Sequence, residues 1–285
     1  MKTTTRLVAA AASIVALIGA SPAPVFVDGY TIAMKITTDD ANAQGPATIT
    51  FKVAGDKVRL EMDMAGIAPG GGRGGRRGGR GGGGGDMTGA FMLLQADGQV
   101  AAIIPSQQMG ITMDIGSISG GRGGGRGGMA GMFGQRTFSD VSVTVDEMGG
   151  GESILGHATH KYRVHTKYTE TMNTMGNAQT TAHDNTTDLW LATDLADAAQ
   201  AFARLGAFFS RAGGPEARDA LMAKLPKGGF PLKSITTEKT ERGTTTATME
   251  ATEVKKTSFD DADFEVPPGI QVMDLGAMMR GRGGL

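Results

Sequence analysis

Alternation of apolar and polar residues with a period of two is the feature that most constrains the fold of this chain. Within residues 30–37, Ile32, Met34 and Ile36 alternate with residues that are mostly polar. A period of two places one set of side chains on each face of a β-strand, so the pattern predicts a half-buried strand. Similar signals predict further strands at residues 49–53, 58–64, 91–95, 100–104, 109–115, 141–145, 160–167, 186–192, 232–240 and 244–255.

Short turn signals connect several of these segments. Ala54-Gly55-Asp56 and Ala96-Asp97-Gly98 each have the composition of a tight β-hairpin turn. Strands that follow one another through short connections pair as sequential neighbours, which predicts an antiparallel meander. The apolar residues of 91–95 and 100–104 are continuous, so these two strands are expected to be central and covered on both faces.

Helical periodicity is confined to one region of the sequence. From 195 to 209 apolar residues recur every three or four positions, with Thr193 or Asp194 available as the N-cap. Pro215 opens a second short helix that is predicted to run to Leu225. The predicted fold class is α+β, mainly β: an incompletely closed antiparallel sheet with two short helices packed on one of its faces.

The first 20 residues have the layout of a secretory signal peptide. Lys2 and Arg6 precede an apolar run at 7–18, and small residues and prolines follow. This run is shorter than the roughly 20 apolar residues that cross a bilayer. We therefore expect a signal peptide cleaved after 1–20 and a periplasmic or secreted protein that is not transmembrane. The chain has no cysteine, which excludes disulfides, thiolate metal sites and an N-terminal lipidated cysteine.

Glycine and arginine dominate two internal segments, 69–86 and 119–134, and the tail at 276–285. Segments with so little apolar surface cannot offset the entropy of ordering their backbone, so they are predicted to be disordered. We expect plain hairpin turns to replace both internal segments without loss of stability. Contact with an anionic envelope surface and inert loop expansion are equal alternatives for the arginines of these two segments, namely Arg73, Arg76, Arg77, Arg80, Arg122 and Arg126.

No constellation of residues in the sequence predicts catalysis. His160 and His165 have different parity on one predicted strand and so point to opposite faces, and His183 is expected in a polar turn. Glu61 and Asp63 share a strand face with two basic residues, which is typical of a charge-balanced exterior. The chain is therefore predicted to be neither an enzyme nor a metal-binding or cofactor-binding protein. A net charge of −1 and arginines without interleaved Phe or Tyr argue against nucleic acid as a partner.

Short segments spread over most of the chain carry a family resemblance. They are Lys57–Met62, Gly156–Tyr162 (GHATHKY), Asp188–Leu191 (DLWL), Gly229–Leu232 (GFPL) and Thr252–Pro268. In these segments the chain resembles periplasmic lipoprotein carriers of the LolA/LolB and LppX type, and more narrowly an uncharacterised bacterial family of exported domains with that fold. The resemblance implies one domain over residues 25–275, shaped as a curved half-barrel with an apolar concavity and with the two short helices packed on its concave face. The Arg/Gly inserts and the missing cysteine depart from the family pattern.

Two functions from different classes remain open. The first is a monomeric periplasmic binding or carrier module, without catalysis, for a lipid-like or amphipathic apolar ligand. The second is a structural or interaction protein of the cell envelope whose Arg/Gly loops contact anionic partners. A mostly apolar cavity of about 300 to 1,000 Å³ would favour the first. Its expected ligand-lining residues lie on the two predicted helices and are Phe202, Leu205, Phe209 and Leu221.

Overall fold

The computed structural model describes residues 26–40, 45–63, 89–94, 99–114, 135–174, 177–209, 214–241 and 243–274. The predicted signal peptide, both Arg/Gly segments and the tail lie outside these residues. The described strands are β1 (Phe26–Thr38), β2 (Ala47–Ala54), β3 (Lys57–Asp63), β4 (Phe91–Leu94), β5 (Gln99–Ile104), β6 (Met109–Asp114), β7 (Gln135–Gly150), β8 (Thr159–Thr174), β9 (Asn177–Ala192), β10 (Phe230–Thr240), β11 (Gly243–Asp260) and β12 (Gln271–Asp274). Two helices, α1 (Ala196–Phe209) and α2 (Gly214–Lys224), lie between β9 and β10.

All twelve described strands belong to one sheet, in the order β12-β6-β5-β4-β3-β2-β1-β11-β10-β9-β8-β7. This order consists of two antiparallel meanders, β1–β6 and β7–β11, joined where β1 pairs with β11. The predicted antiparallel meander is therefore confirmed, with one strand missing from the prediction. That strand, β12, pairs in parallel with β6. The fold is mainly β, as predicted.

The second Arg/Gly segment does not close a hairpin, contrary to prediction. The first segment connects β3 to β4, which are antiparallel neighbours. The second connects β6 to β7, and nine other strands lie between these two in the sheet. A hairpin turn joins only adjacent strands. The two segments therefore have different topological roles, one as a hairpin loop and the other as the connection between the two meanders.

The β2–β3 turn confirms the first predicted hairpin. Gly55 and Asp56 connect the two strands, and the φ of Gly55 is 59°. This left-handed conformation is open to glycine without the steric cost that other residues incur. The second predicted hairpin turn, at 96–98, lies outside the described residues.

The main hydrophobic core lies between α1 and one face of the sheet. Ile32 and Met34 of β1 are fully buried there, which confirms the face assigned from the alternating pattern. Phe51 and Phe230 lie beneath the helix, and Phe202 of α1 packs edge-on against both, with ring centroids 6.1 and 5.4 Å apart. The core beneath α1 is thus filled by aromatic side chains.

Helix α2 packs on the same face as α1, farther along the second meander. Ala217 of α2 lies in a cluster with Val143 and Val164. Residues that lie directly opposite in neighbouring strands share a face of the sheet, and a series of such pairs connects Val164 of β8, through β9, β10 and β11, to Thr38 of β1. Thr38 and Met34 are an even number of residues apart on β1, so Val164 and Met34 lie on the same face. We call this side the helix-bearing face.

Strands β4 and β5 are covered on both faces, as predicted. Met92 and Val100 join the main core on the helix-bearing face. On the opposite face the pair packs against Val266 and Ile270, in the segment that leads from β11 to β12. This segment crosses the opposite face, because β11 and β12 lie on either side of the first meander. The side chains it covers are Phe91, Leu93, Ala101 and Ile103.

Candidate ligand-binding cleft

A cleft of about 330 Å³ lies on the helix-bearing face, beside the start of α1. It lies between the ends of β1 and β11 and the loops that precede β8 and α1. Leu195 is 1% exposed and belongs to both the cleft and the main core. The cleft therefore borders the apolar interior beneath α1 directly. Its lining residues are Tyr30, His157, Asp194, Leu195, Val254 and Lys256.

His157 is held at the cleft by its backbone and by Asp194. The backbone N–H and C=O groups of Ile154 and His157 exchange hydrogen bonds of 3.0 and 2.9 Å across a tight turn. The His157 Nδ1 atom lies 2.7 Å from Asp194 Oδ2. An ionised carboxylate only accepts hydrogen bonds, so Nδ1 carries the proton and donates. This contact fixes the orientation of the ring and leaves Nε2 as the second polar atom.

The structure corrects the predicted N-cap of α1. The helix begins at Ala196, so neither Thr193 nor Asp194 immediately precedes it as an N-cap. The Ala199 N–H donates to Leu195 O at 2.9 Å, as the first helical bond. The Asp194 carboxylate is engaged by an imidazole from another part of the chain, which local sequence does not reveal.

Tyr30 and Lys256 reach the cleft from neighbouring strands. They are directly opposite in the β1–β11 pair, and opposed residues share a face of the sheet. Lys255 pairs with Thr31 and therefore lies on the opposite face. The cleft thus combines an ammonium group, a phenol and an imidazole with the apolar side chains of Leu195 and Val254. This combination suits the binding of a polar group attached to an apolar one.

Of the four predicted ligand-lining residues, the structure describes the side chains of two, Phe202 and Leu221. Phe202 packs against the main core, whereas Leu221 lies in the separate α2 cluster. Leu205 and Phe209 belong to α1 by their backbone, and their side chains lie outside the described part of the structure. The role of all four in ligand contact remains a prediction. The six predicted surface-contact arginines also lie outside the described residues.

Three of the resemblance segments meet on β8, β9 and β10, around Trp190. Lys161 and Lys233 are directly opposite Trp190 on either side, with their Nζ atoms 4.5 and 5.2 Å from the indole ring. Trp190 is 8% exposed. Lys233 also donates to Glu152 at 2.8 Å, and this hydrogen bond raises the pKa of Lys233. The segments therefore form a packed, charge-paired cluster.

Asp188 is the carboxylate of this cluster whose pKa is shifted most. It accepts hydrogen bonds of 2.7 and 2.8 Å from Arg163 and lies 2.9 Å from Lys161 Nζ. The Arg163 hydrogen bonds, followed by those of Lys161, lower the pKa of Asp188 from 3.8 to about 2. Every charged group in this arrangement has a partner within the protein, so the arrangement stabilises the sheet.

His183 lies within β9, not in a polar turn as predicted. Its ring stacks on Tyr168 with centroids 4.5 Å apart, and its side chain is 11% exposed. Nδ1 lies 2.6 Å from Glu238 and Nε2 lies 3.4 Å from Glu170. The residues around His183 are polar and show no apolar alternation, so the sequence gives little indication of a strand there. His183 has the same parity along β9 as Leu189, which packs against the α2 cluster. This shared parity is the sequence signal that could have placed His183 on the strand.

Glu61 and the histidines of β8 lie as the alternating pattern predicts. Glu61 forms ion pairs with Lys52 Nζ and Arg59 Nε at 3.0 and 2.8 Å, which confirms a charge-balanced face. His160 and His165 occupy positions of different parity on the regular strand β8, and so lie on opposite faces. Within the described ranges, no group of three His, Cys, Asp or Glu side chains is arranged to hold a metal ion. Neither helix in the described part of the chain is long and apolar enough to cross a membrane.

Comparison with known proteins gives a partial family match. Residues 135–270 match the family model described as Domain of unknown function (DUF4412), which confirms the predicted resemblance to an uncharacterised domain over this region. The crystal structure of an outer membrane lipoprotein-sorting protein domain from Vibrio parahaemolyticus is 9% identical, covers 84% of this chain and 89% of that chain, and has a TM-score of 0.30. No curated protein sequence matches the chain. The matched region comprises β7–β11, both helices and the segment that crosses the opposite face.

Proposed function

We propose that this protein is a binding or carrier module of the bacterial cell envelope that holds an amphipathic ligand between α1 and the sheet. The observation that carries the proposal is the continuity between the cleft and the core through Leu195. A polar group would bind in the cleft, and the apolar part would enter between α1 and the sheet when the helix is displaced. The signal peptide predicted from the sequence of 1–20 supports a periplasmic or secreted location.

The inner face of α1 suits a movable cover. Ala198, Ala199 and Ala201 are buried on it, and Phe202 is the largest described side chain that the helix contributes to the core. Burial stabilises by about 0.8 kcal/mol per methylene group, so alanines hold a helix weakly. Displacing α1 would uncover Phe51 and Phe230, the apolar floor for a ligand. We propose that the helices lie on the concave side of the sheet, where such a ligand would be enclosed.

Native mass spectrometry of the protein purified from its own envelope, with uptake of the apolar probe N-phenyl-1-naphthylamine, tests this proposal. The wild-type protein should carry a lipid-like molecule and bind the probe. Phe202→Ala should increase probe uptake, because it opens space against Phe51 and Phe230, while costing about 3 kcal/mol of stability. Phe264→Ala is the matched control, since Phe264 packs edge-on against Phe259 away from α1. No bound molecule and no uptake by wild type or Phe202→Ala would contradict the proposal.

A structural or interaction function is the second candidate. The observation that favours it is the close packing of Phe51, Phe202 and Phe230, which fills the core beneath α1. A protein of this kind would present its surface loops to a partner and take up no apolar molecule. The uptake measurement therefore separates the two candidates.

A further inference from the structure

We propose that the cleft binds an oxyanion, the carboxylate or phosphate of an amphipathic ligand, through Lys256, Tyr30 and His157. This inference rests on the proposed function, because it specifies the polar part of the same ligand. Asp194 acts as a positioning residue that orients the imidazole.

Three hydrogen-bonding groups of the cleft, on Lys256, Tyr30 and His157, have no partner among the described residues. Lys256 has no carboxylate partner among the described residues, and the Tyr30 hydroxyl forms no hydrogen bond with them. His157 uses Nδ1 for Asp194, which leaves Nε2. Elsewhere on the sheet, Lys161 and Lys233 are held by carboxylates at 2.9 and 2.8 Å. Three polar groups left unpaired in one concave site indicate a ligand that supplies hydrogen-bond acceptors.

The unpaired ammonium group of the cleft favours an anion over a cation. Its single carboxylate, Asp194, is already hydrogen-bonded to His157 at 2.7 Å, whereas the ammonium group of Lys256 is not paired within the described chain. Lysine and tyrosine donate hydrogen bonds to a carboxylate or phosphate oxygen, and hydrogen bonds to charged groups are stronger than neutral ones. When the His157 ring carries both protons, Nε2–H is a third donor.

The apolar lining of the cleft indicates that the oxyanion is attached to a hydrocarbon. Leu195 and Val254 lie beside the polar groups, and both contribute to or pack against the main core. An oxyanion bound by Lys256 and Tyr30 would thus place an attached chain at the edge of the main core beneath α1. A free inorganic anion would leave these apolar contacts unused.

Calorimetric titration of the chain without residues 1–20, the predicted signal peptide, with dodecanoate and dodecanol tests the inference. Dodecanoate should bind about tenfold more tightly, the effect of one charged hydrogen bond. Lys256→Gln should remove this preference by weakening dodecanoate about tenfold without changing dodecanol. Tyr30→Phe, which keeps the ring, should weaken dodecanoate about fivefold. Lys255→Gln is the matched control and should change neither affinity, because Lys255 lies on the opposite face.

The outcomes separate this inference from the proposed function. Equal affinity for dodecanoate and dodecanol, unchanged in Lys256→Gln, would overturn the oxyanion site while supporting the carrier function. Binding of neither compound would overturn both. Competition with dodecanoate by dodecyl phosphate and by inorganic phosphate distinguishes an amphiphile from a free anion as the ligand. Competition by dodecyl phosphate alone supports an amphiphile. Equal competition by inorganic phosphate would overturn the inference that the bound oxyanion is attached to a hydrocarbon.

Discussion

The two meanders of the sheet are stabilised by different interactions. In the first, β4 and β5 are buried on both faces between the main core and the segment that crosses the sheet. In the second, β8 and β9 extend for 16 residues each and carry polar pairs such as Arg163–Asp188 and Thr187–Thr236. The first meander depends mainly on apolar burial, with an ion pair between Lys52 of β2 and Glu61 of β3. Among the described residues, the second has more hydrogen bonds and ion pairs between strands. They should therefore respond to different perturbations.

The cleft lies where the two meanders meet. Tyr30 comes from β1 of the first, while Val254 and Lys256 come from β11 of the second. His157 and Asp194 come from loops of the second meander. The family match at 135–270 includes every lining residue except Tyr30. Binding at the cleft would thus connect the matched region to the part of the sheet outside it.

Opening a cavity in the first meander should produce the largest loss of stability. Leu60 is 0% exposed in the main core, so Leu60→Ala should lower the free energy of unfolding by about 2 to 5 kcal/mol. Urea denaturation monitored by Trp190 fluorescence measures this change. The control is Leu155→Ala, because Leu155 is 49% exposed and should cost less than about 0.5 kcal/mol. Similar losses for the two variants would contradict the dependence of the first meander on burial.

Removing a charge from the second meander should have a smaller, pH-dependent effect. The pKa of Asp188 falls from 3.8 to about 2 on folding, so its ionised form stabilises the native state by about 2 kcal/mol at pH 7. This contribution is complete above about pH 4 and is lost as the pH falls towards about 2. Asp188→Asn should therefore cost about 2 kcal/mol at pH 7, and the difference from wild type should shrink in acid.

Denaturation across the acid range, repeated with Asp184→Asn, checks this assignment. Asp184 lies on the same strand and pairs with Lys167 at 3.1 Å, but their side chains are 46% and 63% exposed. Exposed pairs contribute about 0 to 1 kcal/mol. A pH-independent loss in Asp188→Asn, or an equal loss in Asp184→Asn, would show that the ion pairs around Trp190 do not provide this stability.

Most strands could be predicted because their alternation is local. Strands β1–β6 lie close to the predicted bounds, as burial on one or both faces leaves a clear pattern in the sequence. Strands β7–β9 are longer than predicted, since threonines and charged residues continue them with little apolar contrast. The four-residue β12 was missed because its residues are all exposed and its parallel partner β6 is distant in sequence.

The cleft could not be predicted because its residues meet only through long-range register. Tyr30 lies opposite Lys256 through the β1–β11 pairing, which nothing within either segment specifies. Asp194 had a local interpretation as a helix cap, and the hydrogen bond with His157 replaced it. His183 was likewise placed in a turn because its partner Glu238 lies 55 residues away.

The smallest effect on stability is expected from deletion of the Arg/Gly segment at 69–86. Strands β3 and β4 are antiparallel neighbours, and residues 64–68 and 87–88 remain to connect them. Shortening a flexible loop changes stability by only about 1 kcal/mol, because closure entropy varies with the logarithm of loop length. Adsorption to anionic vesicles should decrease, since each of the four arginines removed contributes up to about 1 kcal/mol near such a surface. This adsorption should be screened by salt.

Deletion of 119–134 is the contrasting control: the four residues left between β6 and β7 reach about 17 Å, and nine other strands lie between these two. That variant should fail to assemble the sheet. A large loss of stability on deleting 69–86, or a stable protein without 119–134, would refute the different roles of the two segments.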